Sequence, residues 1–249
     1  MIKFFNKIRR GSLEESNFSK YLLYAIGEIL LVMIGILLAL EVSNWNDERK
    51  EREIKKSMLA GVLRGLVKDS SDIAFNIRVH SQSLNSQKIV IGWIEGNSPF
   101  PDSLKRHISL CFRFTQFVSQ DGPYEILKTT GLRLITNDTL QEEISSLYDV
   151  DYDLQDEHEK YYTSLIMKSM QDINQDFFDV SNPVVHGAPN YEGAMTPLSP
   201  ELLRTDNRFN YHLKTSMYEN KMFIFYVMDL VRKRINRVKK MIRKELEKE

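Results

Sequence analysis

Residues Tyr21 to Val42 read YLLYAIGEILLVMIGILLALEV, and the solvent these 22 residues prefer decides the fold. As a helix rising 1.5 Å per residue they extend about 33 Å, enough to cross a hydrocarbon core about 30 Å thick. Tyr21 and Tyr24 stand at one end and Trp45 just beyond the other, where amphipathic rings favour the headgroup level. A buried helix of a water-soluble core seldom carries more than about 14 consecutive apolar residues. A cleavable signal peptide fits poorly, because its apolar region is shorter and Leu37-Leu38-Ala39 lacks the small residue such a cut requires. The expectation is a transmembrane helix over 21–42.

Within that span Glu28 is the informative residue. It lies about 10 Å inside from Tyr21, a depth at which an ionisable group is costly and normally faces protein or water. Gly35 follows seven residues later on the same stripe and Gly27 is adjacent, so a second helix could approach closely there. Three readings stand: a protonated Glu28 bonded across a homo-oligomeric helix interface, which is favoured; a proton or cation path; or a carboxylate reaching towards the headgroups. Tyr21, Tyr24, Gly27, Glu28, Gly35 and Trp45 are therefore the candidates for membrane-interface and helix-association roles. Lys3, Lys7, Arg9, Arg10 and Lys20 precede the span and Arg49, Lys50, Arg52, Lys55 and Lys56 follow it, a tie under the positive-inside rule. The tail over 1–20 interleaves Ile2, Phe4, Phe5 and Ile8 with cations like a small interfacial helix, which favours a cytoplasmic N-terminus.

Outward from the span, no proline occurs between Met1 and Ser98, so nothing forces a break, and a membrane-proximal long helix is expected over 43–95. Ile54, Met58, Val62 and Leu66 form an apolar stripe continued by Ile73, Ile77, Leu84 and Ile91, with His80 and Gln87 in the same seam. A polar residue in such a seam usually fixes packing register rather than binding a ligand. The turn-rich stretch Gly96 to Pro101 ends this helix, and 102–178 reads as a helical bundle with an acidic helix. Its expected parts are a helix from Asp102 or Ser103 to about Phe117, a second from Pro123 to Thr130 stopped by Gly131, and a long one opened by an Asp138–Gln141 capping box. The long helix carries Leu140, Ile144, Leu147, Leu154, Tyr161 and Leu165 as apolar punctuation and reaches about Phe178. Residues 179–200 hold four of the seven prolines and read as a Pro-rich loop; 201–249 read as a basic coiled-coil-like helix with a seam of Ile224, Met228, Val231, Ile235, Val238, Ile242 and Leu246. Period-two alternation is absent over any useful length, so no strand is expected. The fold class is all-α: one N-terminal transmembrane helix followed by a bundle of about four or five helices with long coiled-coil-like arms.

Two stretches carry a resemblance. IKFFNKIRR…SKYLLYAIGEILLVMIGILLALEVSNWNDERKERE pairs a basic, Phe-containing tail with a YAIGE-type span and an N-W-N-x-E-R exit, and the second is PYEILKTTGLRLITNDTLQEEISSLYD (Pro123 to Asp149), which is similar to a helix–turn–helix block further along the proteins of one family. Together, over about a third of the chain, they resemble a family of bacterial single-pass membrane proteins, domain of unknown function 6090, with a departure at Glu41. The resemblance implies architecture and a bacterial membrane address, and brings no activity or site residues.

The 34 Lys+Arg balance 34 Asp+Glu, but unevenly: Asn137 to Glu159 carries nine acidic residues and no Lys or Arg, and Lys221 to Glu249 carries ten basic residues against four acidic. Side-by-side packing of these two segments is the plainest explanation, with docking of the basic helix on anionic lipid as the sharper one. Zero net charge gives no general case for nucleic acid, and none is expected as a partner. A single Cys excludes an internal disulfide framework. Phosphate-binding Gly loops, the nucleophile elbow and H-E-x-x-H are absent. Asp149 to Asp153 opens like a calcium loop, but the sixth position is Leu154 and the twelfth Lys160, which leaves only a weak surface cation site open. His107 and Cys111 have the spacing of an activated thiol but lack a third group.

No catalytic residue, metal or cofactor is therefore assigned. The expectation is a non-enzymatic scaffold or accessory protein, anchored in the lipid bilayer of a bacterial inner membrane with its C-terminal part in the periplasm. It would act through protein contacts as a homo-oligomer or within a larger envelope complex, with the Pro-rich loop and acidic helix as partner surfaces. Two alternatives stay open: an extracytoplasmic ligand-sensing bundle of unknown small-molecule ligand, and an oligomeric pore or proton-conducting assembly using Glu28.

Overall fold

The computed structural model describes residues 18–182 and 193–248. Most of the expected N-tail, the side chain of Tyr21 and residues 183–192 of the expected loop lie outside that range. The chain divides into two units, Met1–Ile54 and Lys55–Glu249.

Helix α1 runs from Phe18 to Glu95 without interruption, as the absence of proline allows. Its part in the first unit is long and apolar enough to cross a membrane, and none of its most apolar window is buried by the chain itself. Leu23, Ile29, Leu31 and Val42 are each more than three-fifths exposed. A core helix of a water-soluble fold would have buried such side chains.

In the second unit α1 is the spine. Leu59, Val62, Leu66 and Ile73 are fully buried along one stripe, with Leu84 and Ile91 nearly so. Ile54, expected in the same stripe, is exposed. Around this spine pack α2 (Leu104–Cys111), α3 (Gly122–Thr130), α4 (Asp138–Ser146), α5 (Tyr152–Phe177), α6 (Pro200–Thr205), α7 (Asn207–Met222) and α8 (Asp229–Leu246). Val231, Ile235, Val238 and Ile242 of α8 are fully buried, so the seam read in the basic segment faces the core. The acidic and basic segments do lie together: Arg234 bonds Glu143 at 2.8 Å and Asp151 at 2.9 Å, and Arg237 reaches Glu143 at 2.9 Å.

Several expectations are corrected. The helix expected through Phe117 ends at Cys111 and an extended segment follows, because side chains of α1 offer its backbone a better set of partners than another helical turn would. The cap of α4 is Asn137, whose Oδ1 accepts from Leu140 N at 3.2 Å, rather than Asp138, which sits in the first turn. The ends of the Pro-rich stretch are paired: β1 (Phe178–Asn182) and β2 (Ala194–Pro197) form an antiparallel ladder with an irregularity between Phe178 and Val180. No alternation announces it, since each strand is only four or five residues long.

The long acidic helix is interrupted by a π-turn, Leu147–Asp151, between α4 and α5. A π-turn inserts one residue into the helical count and shifts everything after it around the axis. Tyr161 is therefore 55% exposed whereas Tyr162 is 1% exposed. A second π-turn, Phe223–Met228, joins α7 to α8. Tyr162→Ala should destabilise the bundle by about 3 kcal/mol or more, in the range of large aromatic truncations, and Tyr161→Ala by no more than about 0.5 kcal/mol. Denaturant unfolding of both variants in detergent measures the difference, and equal effects would contradict the phase shift.

Candidate binding cleft

The segment Arg113 to Gln120, which follows the end of α2, is extended and pressed against α1, with Cys111 to Thr115 all buried. A buried backbone must find partners for its N–H and C=O groups, yet no strand pairs with this one. A ladder of α1 side chains supplies them instead. Gln87 Nε2 and Ser83 Oγ donate to Cys111 O at 2.9 and 3.1 Å. His80 Nε2 accepts from Thr115 N at 3.5 Å, and the Thr115 hydroxyl donates to Asn76 Oδ1. Asp72 Oδ2 accepts from Val118 N at 3.0 Å and Asp69 Oδ1 from Gln120 N at 2.9 Å. From the other side, Glu159 Oε2 of α5 accepts from Phe117 N at 2.8 Å.

The geometry of this ladder is commensurate. Residues 69, 72, 76, 80, 83 and 87 follow the 3-4-4-3-4 spacing of one helix stripe. From 69 to 80 a helix rises about 16 Å, and the five steps from Thr115 to Gln120 span about 16 Å of strand. The His80 tautomer follows from its partners. Nε2 accepts the backbone N–H, so Nδ1 carries the proton and donates to Asn220 Oδ1 at 2.8 Å. Burial holds this imidazole down at a pKa of about 4, although Asn220 and Thr115 pull it up. The polar seam residues His80 and Gln87 thus act as packing and register devices, as their sequence position implied.

Beyond this segment opens a cleft of about 360 Å³, near the lower end of the range for small-molecule sites. Its aromatic wall is continuous. Tyr124 stacks on Tyr148 with centroids 4.3 Å apart and planes at 6°, Tyr148 meets Tyr152 edge-on at 5.0 Å, and Tyr152 meets Phe117 edge-on at 5.2 Å. Asp121, Glu125, Asp149, Asp153, Asp156 and Glu159 line the same space. The π-turn builds this wall, because it sets Tyr148 and Tyr152 on the buried side of the acidic helix.

Two carboxyls behind the wall are perturbed. Burial pushes Asp69 up to about 6, although the Tyr152 hydroxyl, donating to Oδ2 at 2.8 Å, and the Gln120 N–H pull it back. Burial likewise raises Glu159 to about 7 against the Phe117 N–H. Burial also raises the phenols of Tyr148 and Tyr152 well above their ordinary range. Asp149 is held below the usual carboxylate range: burial opposes this, but Lys128 Nζ at 2.8 Å and the Tyr124 hydroxyl at 2.7 Å outweigh it.

The residues singled out in the span are placed differently. Tyr24, Gly27, Glu28, Gly35 and Trp45 all lie on the exposed surface of α1. A Cβ on Gly27 or Gly35 would meet nothing within 4 Å. Arg49 stands 6.0 Å over the Trp45 ring. Tyr21 falls in α1 by its backbone. His107 does not meet Cys111: its Nδ1 pairs with Ser86 Oγ at 3.1 Å, while Cys111 is fully buried and burial raises its thiol well above the ordinary value. Neither is placed as a nucleophile. Among the described residues, no group of three or more His, Cys, Asp or Glu could hold a metal ion. The cleft was only half legible in sequence. The acidic run was visible, but its convergence with Tyr124 of α3 and Phe117 was not. No protein-family model matches the chain, and no curated protein or solved structure is significantly similar to it.

The shifts have opposite signs in stability. Asp69 and Glu159, raised in the fold, stabilise most below about pH 4 and lose that contribution as pH rises through about 6 and 7. His80, depressed to about 4, loses its contribution as pH falls from about 6.5 towards 4. Above pH 6.5 the Glu159 term dominates. Glu159→Gln keeps an acceptor for Phe117 N and should flatten the decline in melting temperature between pH 6 and 8, a comparison that thermal unfolding in matched buffers makes directly.

Proposed function

We propose that this is a non-enzymatic, single-pass membrane-anchored helical protein that acts through protein contacts, as a homo-oligomer or as an accessory of a larger envelope complex. The observation that carries the reading is the uncovered apolar face of α1, exposed from Leu22 to Val42, with Glu28, Gly27 and Gly35 on it. An ionisable side chain in hydrocarbon is costly unless a neighbour takes its hydrogen bond, and small residues beside it let that neighbour be a helix. Tyr24 and Trp45, each about three-fifths exposed, suit the two headgroup levels. The resemblance of the span and its flanks to bacterial single-pass proteins supports an inner-membrane address. The basic, Phe-containing tail supports a cytoplasmic N-terminus, hence a periplasmic bundle. A second reading, an extracytoplasmic ligand-sensing bundle, draws on the cleft behind α3 and α5. Conduction through Glu28 requires several copies of the span, so it depends on the same oligomer.

Crosslinking and native mass measurement in mild detergent test the association. Gly35→Leu should weaken the oligomer at least tenfold, about 1.4 kcal/mol, while Glu28→Gln, which retains a hydrogen-bonding group, weakens it less. A wild-type chain that is monomeric in every lipid-like environment would remove the interface. Background proton flux in liposomes that Glu28→Gln leaves unaltered would remove the conducting reading.

A further inference from the structure

One cation of the chain already shows what the cleft can recognise. Lys128 Nζ bonds Asp149 Oδ1 at 2.8 Å and stands 5.5 Å from the centre of the Tyr124 ring, pairing a carboxylate with an aromatic face. Lys160 Nζ takes Asp156 at 2.5 Å at the other end, as an exposed ion pair. Six carboxyls line the cleft and these two lysines are paired with two of them, so four remain; Asp121, Glu125 and Asp153 have no ion-pair partner among the described residues.

Three further atoms lack a partner. Tyr148 is 6% exposed and Gln155 fully buried, both line the cleft, and the Tyr148 hydroxyl and the Oε1 and Nε2 of Gln155 make no hydrogen bond. A buried polar atom without a partner costs about 1–3 kcal/mol, and the two oxygens among them can each accept from a ligand N–H. A hard metal ion fits less well, since it requires several oxygens converging at about 2.0–2.6 Å, and no such group of carboxylates occurs among the described residues. A quaternary ammonium would satisfy the rings but has no N–H for the orphaned oxygens. From Tyr148 to Glu159 the lining helical run rises about 16 Å, a length suited to an extended chain rather than a compact ion.

We propose that the cleft between α3, the first π-turn and α5 binds a small aliphatic polyamine. One ammonium group would donate to the Tyr148 hydroxyl and Gln155 Oε1 against the tyrosine faces, and the others would pair with Asp121, Glu125 and Asp153. The proposal requires only the folded bundle, and neither oligomerisation nor sidedness of the membrane enters it.

Calorimetric titration of the full chain in detergent at pH 7.5 and low salt tests it, with spermidine as the probe and tetramethylammonium and Mg²⁺ as controls. Spermidine should bind with a dissociation constant below about 1 mM, and both controls at least tenfold more weakly. Glu125→Gln combined with Asp153→Asn, both exposed positions, should weaken spermidine binding tenfold or more without lowering the melting temperature. Tyr148→Phe removes a hydroxyl that has no partner in the fold, so it should weaken binding threefold or more while leaving the melting temperature at or above that of the parent. Absence of spermidine binding, equal binding of either control, or unchanged affinity in the carboxamide variant would each overturn the proposal.

Discussion

A buried extended segment with no neighbouring strand must have its amides satisfied by something, and in this protein the long helix does it with a stripe of polar side chains. Asp69, Asp72, Asn76, His80, Ser83 and Gln87 meet the backbone and the Thr115 hydroxyl from Cys111 to Gln120 in register, two helix residues for each strand residue. Remove that match and the segment has either unpaired N–H groups in the core or no reason to be buried at all. Once it is in place, Phe117 stands against Tyr152, Gln120 closes over Gly65, and α3 is delivered beside the acidic helix. A Cβ on Gly65 would come 3.3 Å from Gln120 O, so any larger residue there would make the crossing give by a few tenths of an ångström.

The same constraint explains the unusual ionisable groups of the bundle. Asp69, Glu159 and His80 look, by their perturbed protonation alone, like the components of an active site. Each is instead occupied with a backbone amide of the extended segment. Their desolvation is the consequence of placing acceptors where a strand would normally have supplied carbonyl groups. By contrast, among the cleft's lining residues Tyr148 and Gln155 carry buried polar atoms left without partners.

The charge separation along the chain is likewise divided between two uses. Part of the acidic run is neutralised by the basic C-terminal helix through Arg234 and Arg237 on the buried carboxylates of Glu143 and Asp151, and the partly buried Arg234 pairs are worth more than pairs on an open surface. Asp149, Asp153, Asp156 and Glu159 line the cleft instead. The π-turn is the device that splits the run, since it turns Asp151 towards Arg234 while Tyr148 and Tyr152 line the aromatic wall.

What the sequence by itself determined is set by local rules: an apolar run with tyrosines and a tryptophan at its ends, a helix that continues because no proline stops it, a turn at Gly96 to Pro101, a stop at Gly131, and seams at 3-4 spacing in Val62 to Ile91 and Val231 to Ile242. Helical periodicity records which face is apolar, and that information needs no partner. Tertiary structure alone decided that Arg113 to Gln120 would be extended, that Tyr162 rather than Tyr161 would be buried, and that the ends of the Pro-rich stretch would pair. The physical reason is the same in each case. These outcomes depend on hydrogen-bond partners and packing contacts supplied from positions tens of residues away, and a π-turn changes helical phase without leaving a residue type that marks it. The polar ladder was in view as His80 and Gln87, but a stripe of acceptors becomes meaningful only when a distant strand arrives to donate to it.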